Sequence, residues 1–159
     1  YPKFSKGFQI TAFEADPIYK SEYEKMQDVN FHNVAVWVRN ETLRFGGKMG
    51  RVQSRKACKK ECKKDGSYTV QGINLSEYFL NTLLPTDFVV LKMDIEGAEY
   101  SVIPHMLESG SFNLIDEFFL EGHTIKLSKL EEVRHRKYEH IVNMLSTIRS
   151  LGVWAHEWF

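Results

Sequence analysis

The sequence predicts an α/β protein built on a mainly parallel sheet, and three observations carry that prediction. Segments with the two-residue period of strands alternate with segments of helical period along nearly the whole chain. The segment DFVVLKMDI (87–95) is almost continuously apolar, the signature of a parallel strand covered on both faces. Acids gather at the ends of strand-like segments: Glu14, Asp94, Glu96 and Glu121 fall there with His123, on the edge where open α/β sheets place their sites.

The elements follow in order. FQITAFEADP (8–17) alternates and then breaks at acids and a proline, so a strand should lead into a helix over PIYKSEYEKMQ (17–27). HNVAVWVRNETLRFGG (32–47) reads as a strand, a turn at Arg39, Asn40 and Glu41, and a short returning strand. Residues 48–66 hold eight Lys and Arg against Glu61 and Asp65, with almost no apolar content, and read as a loop. SYTVQGI (67–73) is a strand, and NLSEYFLNTLL (74–84) is a helix capped by Asn74. After the strand at 87–95, AEYSVIPHMLESG (98–110) is a helix stopped by Gly110, with Pro104 expected to kink it. NLIDEFFLEGH (113–123) is a strand. KLEEVRHRKYEHIVNMLSTIRSLG (129–152) is a long helix with Leu130, Val133, Tyr138, Ile141, Leu145 and Ile148 near one face, and VWAHEWF (153–159) closes as a strand.

The 159 residues fit one domain, 1–159, large enough for a real core. A net charge of zero provides no global field toward nucleic acid or membrane. No apolar run approaches the roughly 20 residues that span a bilayer, so no transmembrane segment is expected. The chain opens on Tyr1 rather than Met, so its natural N-terminus, with any targeting signal, is expected to lie upstream; cytoplasmic and secretory locations both stay open. Cys58 and Cys62 sit in the basic stretch KACKKECKK, either free in a solvated loop or joined in a local disulfide. A zinc site is disfavoured there, because no second Cys or His pair stands at ligand spacing.

Each strand-end residue has a functional and a structural reading. Glu14 suits the hydroxyls of a ribose, or the start of a helix, although Asp16 beside Pro17 is better placed for capping. Gly97 permits a sharp turn, and Glu99 in the first helical turn suits the helix dipole. Asp94 costs several kcal/mol if buried unpaired, so it needs a cation, a substrate hydroxyl or donors; Lys92 on the same strand is one partner available to it. Glu121 and His123 repeat the pattern on the next strand, which suits a general base, or a metal held by Asp94, Glu121 and His123.

DFVVLKMDIEGAEYSVI (87–103) resembles the hallmark of the FkbM-type S-adenosylmethionine-dependent methyltransferases, a strand ending in Asp-x-Glu-Gly-x-Glu. ITAFEADP is similar to the second strand of that family with its ribose-binding acid. NVAVWVRNETLRFGG resembles its third-strand region and hairpin, LIDEFFLEGH its fifth strand, and LGVWAHEW its last strand. The resemblance implies a Rossmann-like class I methyltransferase sheet, S-adenosylmethionine as cofactor, and methyl transfer to an oxygen. It implies that Glu14 holds the cofactor ribose, that residues from Asn33 to Ala35 border the adenine, and that Asp94 and Glu96 face its amino acid end. The family's first strand and glycine-rich turn have no counterpart before Gln9. The sequence is therefore expected to be a fragment, with a missing N-terminal segment or another chain completing the sheet, or residues 9–14 and 87–95 pairing directly.

Three functions follow as expectations. The first is an O-methyltransferase acting on a hydroxyl of a small molecule or glycan, with Asp94 and His123 as its catalytic pair. The second is an inactive methyltransferase-like domain kept as a binding or structural module, with residues 48–64 contacting a polyanion. The third is a metal-assisted transferase using Mg²⁺ or Mn²⁺ on Asp94, Glu121 and His123.

Overall fold

The computed structural model describes residues 7–45, 68–123 and 138–158, in which strands follow one another between Val29 and Asn74 and strand and helix alternate from Leu75 onward. Three of the ladders are parallel, so the α/β class and the mainly parallel pairing are as the sequence predicts. The basic loop at 48–66 with Cys58, Cys62 and the polyanion contact at 48–64 lies outside the described residues, as do Leu130 and Val133. The chain divides into two compact units: Tyr1–Val36 with Asn40–Ile73, and Trp37–Arg39 with Asn74–Phe159.

In the first unit β1 (Ile10–Phe13) runs parallel to β2 (Val29–His32), with Ile10 opposite Val29 and Phe13 opposite His32. Rings stack across the pair, Phe13 on His32 with centroids 5.3 Å apart. The helix expected over 17–27 is reduced to a 3-10 turn, Pro17–Tyr19, and one turn of α1 (Lys20–Tyr23). Asp16 caps that turn by accepting from Ile18 N at 3.0 Å. Neither piece buries a residue, and Ile18 stays 72% exposed, so no docked apolar face extends the helix.

β3 (Ala35–Trp37), β4 (Thr42–Phe45) and β5 (Tyr68–Asn74) form a sheet in the order β3-β5-β4. The strand and returning strand read in 32–47 are therefore not neighbours: β5 comes between them. It pairs antiparallel with β4, Phe45 opposite Tyr68, their rings stacked at 5.5 Å. Gly72 makes that approach possible. Its N–H donates to Glu41 O at 2.7 Å, and a Cβ there would lie 2.9 Å from the same oxygen.

In the second unit Asn74 caps α2 (Leu75–Thr82), its side chain accepting from Glu77 N at 3.3 Å. β6 (Val90–Met93), β7 (Glu117–Leu120) and β8 (Trp154–Glu157) form a parallel sheet in that order. α3 (Glu99–Glu108) continues through Pro104 and stops before Gly110, whose φ of +75° ends it. A 3-10 turn, Ser111–Leu114, takes the start of the strand expected over 113–123. α4 (Tyr138–Ser150) precedes β8. Ile141, Leu145 and Ile148 are buried as its spacing predicts, whereas Tyr138 turns outward and donates to Glu157 Oε2 at 2.8 Å.

The core collects Val102, Ile103 and Met106 of α3, the three α4 residues, and Phe112 set edge-on to Phe118 at 5.2 Å. The sheet buries one face, through Met93, Phe118, Leu120 and Ala155. Its other face carries Val90, Lys92, Trp154 and His156, all exposed. This corrects the strand expected at 87–95 to be covered on both faces: among the described residues β6 is an edge strand, and β7 is the central one. β1 and β6 belong to separate sheets, so the direct pairing of 9–14 with 87–95 is not found. Among the described residues no helix is long and apolar enough to cross a membrane.

Candidate functional site

The register of the parallel sheet brings the acids of the second unit together. Met93 pairs with Leu120, and Met93 O accepts from Glu121 N at 3.0 Å, so β6 and β7 end side by side. Asp94 and Glu121 therefore leave the sheet as neighbours. After Asp94 the chain must reverse sharply into α3. Glu96 adopts φ +54° and Gly97 φ +96° to do so. The left-handed conformation is ordinary for Gly97 but strained for Glu96, by about 1–3 kcal/mol for a side chain held there.

Glu99 holds the turn from within and is fully buried. Its Oε2 accepts from Gly97 N at 2.7 Å, and its Oε1 accepts from His123 N at 2.8 Å. The same Oε1 lies 3.0 Å from His123 Nδ1. One buried carboxylate thus ties the end of β6 to the chain beyond β7 and sets the imidazole between them. Its burial is sustained because it has three polar neighbours within hydrogen-bonding distance.

The other ring nitrogen faces the strand-end acids. His123 Nε2 lies 3.6 Å from Asp94 Oδ1, 3.7 Å from Glu96 Oε2 and 3.8 Å from Glu121 Oε1. These three side chains are about 40% exposed and that of His123 is 18% exposed, so the cluster opens to solvent on the acid side. The hydrogen bond to Glu99 raises the pKa of His123 above the ordinary 6.5; burial opposes the shift, and the charges of Glu99, Glu96 and Asp94 add to it. Lys92 is not the partner of Asp94 here: its ammonium lies over the Trp158 ring, 5.2 Å from the centroid.

Asp94, Glu96 and His123 each offer a ligand atom within 4.8 Å of the others, a set that a divalent cation would fit. The expected set of Asp94, Glu121 and His123 shares two of these residues, and Glu121 Oε1 stands 3.8 Å from Nε2.

The remaining expected residues lie in the first unit. Glu14 follows β1, and its Oε1 accepts from Asp16 N at 2.7 Å. Asn33 Nδ2 donates to Glu14 O at 2.8 Å, so these two residues are joined, and Ala35, 3% exposed, opens β3. Tyr68 is drawn into the same acidic surroundings. Burial, with Asp16 and Glu14 adding, pushes its pKa up to about 12.

The fold and this cluster define an α/β protein with a carboxylate-anchored imidazole at the carboxyl ends of two parallel strands. Residues 48–159, more than half of the chain, match the model of a family described as a domain of unknown function, DUF7870, and the chain belongs to that family. No curated protein and no solved structure matches it.

Sequence names Glu99 without its tie to His123, and it does not single out Tyr68 of the first unit. Glu99 reads as a helix-dipole acid, and nothing local ties it to a histidine 24 positions on. Tyr68 reads only as a residue of the strand at 67–73. The signal for Glu99 is the excess of acids in DIEGAE without a neighbouring cation beyond Lys92.

Proposed function

We propose that the protein is an S-adenosylmethionine-dependent O-methyltransferase acting on an uncharged hydroxyl of a small molecule or glycan. The observation that carries the reading is His123, anchored by buried Glu99 and with its Nε2 turned to Asp94 and Glu96, the acids of the segment that resembles the FkbM-type hallmark. A Rossmann-like methyltransferase sheet is the finer form of the α/β architecture that this reading requires.

S-adenosylmethionine supplies an electrophilic methyl group when bound. The acceptor character of Glu14 suits ribose hydroxyls, which donate; Asn33, joined to the Glu14 carbonyl, and Ala35 would border the adenine. Asp94 and Glu96 would meet the amino acid end of the cofactor through its ammonium group. His123 takes the proton of the acceptor hydroxyl at Nε2, while Asp94 orients that hydroxyl. The exposed acids around Nε2 disfavour a carboxylate or phosphate on the acceptor. In a metal-assisted form, Asp94, Glu96 and His123 would hold Mg²⁺ or Mn²⁺, with Glu121 beside them, and the cation would lower the acceptor's pKa.

The test is transfer of an isotopically labelled methyl group from S-adenosylmethionine to a panel of neutral and phosphorylated hydroxyl compounds, with and without EDTA. Neutral acceptors should be labelled, His123→Asn should lose about 10²–10⁴-fold in rate, and loss in EDTA selects the metal-assisted form. Because Glu99 raises the pKa of His123, the base keeps its proton longer, and the rate should climb with pH through a midpoint above 6.5. Labelling confined to phosphorylated compounds, or unaffected by His123→Asn, would contradict the reading.

A second reading, an inactive methyltransferase-like domain serving as a binding or structural module, is favoured by the position of β6 at a sheet edge. It requires salt-sensitive polyanion binding through residues 48–64 by a protein that takes up no cofactor.

A further inference from the structure

We propose that Glu99 is a positioning residue that fixes neutral His123 in its Nδ1-protonated tautomer, so that Nε2 is the lone-pair atom offered to whatever binds at the strand ends. The argument begins with groups that have no choice of role. Backbone N–H groups can only donate, so both oxygens of Glu99 act as acceptors, Oε2 toward Gly97 N at 2.7 Å and Oε1 toward His123 N at 2.8 Å. Nδ1 meets the same Oε1 at 3.0 Å. A lone pair on Nδ1 would face an oxygen already committed as acceptor, whereas an N–H on Nδ1 completes the set. The proton of the neutral ring therefore belongs on Nδ1.

The other side of the ring agrees. Nε2 stands 3.6–3.8 Å from oxygens of Asp94, Glu96 and Glu121, too far for a direct hydrogen bond to any of them. A proton on Nε2 in the neutral ring would find none of these acceptors within bonding reach, while Nδ1 has one. An imidazole in this state, backed by a carboxylate and open at Nε2, has the form that both general bases and metal-ligating histidines take. Glu99 itself needs no contact with a ligand; it acts through His123. The service to methyl transfer rests on the function proposed above, but the tautomer does not.

The test is ¹⁵N spectroscopy of the full chain labelled at histidine, recorded without cofactor or acceptor at an alkaline pH where the ring is neutral, with His123→Asn used to assign the His123 resonances. In the wild type Nδ1 should show the shift of a ring N–H and Nε2 that of an unprotonated ring nitrogen. In Glu99→Ala, with its fold checked by the dispersion of the backbone spectrum, the Nδ1–H form should become the minor one. A wild-type ring protonated mainly on Nε2 would overturn the proposal whether or not the variant folds. So would a folded Glu99→Ala with the wild-type tautomer. Failure to bind S-adenosylmethionine touches neither result, so the two readings fail separately.

Discussion

Among the described residues, Glu96 is the one whose backbone departs furthest from its chemistry, a carboxylate side chain at φ +54° in the turn that delivers Asp94 and Glu99 to the imidazole. Relief of left-handed strain is worth about 1–2 kcal/mol, against roughly 0.4–1 kcal/mol of unfolded-state entropy that a glycine adds. Comparing Glu96→Gly with Glu96→Ala removes the carboxylate in both and leaves the backbone as the difference. Chemical denaturation should find the glycine variant the more stable of the two by about 0.5–1 kcal/mol; an alanine variant of equal or greater stability would mean that the turn is not strained. The conformation of Glu96 is not legible in the sequence, because the neighbouring Gly97 accounts for a sharp turn by itself. The pairing of Glu99 with His123 is illegible for another reason: it spans two strands, and only their register brings it about.

At the scale of elements, α4 seats closely on the segment after β7, at the residue that precedes His123. A Cβ on Gly122 would lie 2.9 Å from Ile141 Cδ1 and Cγ1, and Ile141 is fully buried. Gly122→Ala should therefore destabilise the protein by about 1–3 kcal/mol, as overpacking does, measured as a shift in the denaturation midpoint; a change under about 0.5 kcal/mol would show that the helix yields freely. Local chemistry made several elements readable: Asn74 and Asp16 as caps, Gly110 as a stop, and the apolar spacing of Ile141, Leu145 and Ile148. Non-local pairing made others unreadable. The insertion of β5 between β3 and β4 depends on a partner 29 residues from Thr42, and β2 is four residues whose alternation is too brief to stand out.

For the molecule as a whole, the α/β class follows from alternating periods, and the acids past β6 and β7 were readable because parallel strands place their carboxyl ends on one edge. The apolar run at 87–95 misleads on burial: a strand can be apolar and still stand at an edge, as β6 does. The central claim is that the protein takes up S-adenosylmethionine, with Asp94 and Glu96 meeting the amino acid end of the cofactor. Calorimetric titration of S-adenosylmethionine into the full-length protein tests that claim most directly. The account predicts saturable one-to-one binding, weakened about tenfold or more, roughly 1.4 kcal/mol, by Asp94→Asn; a folded full-length protein that shows no binding, or binding indifferent to that substitution, would contradict it.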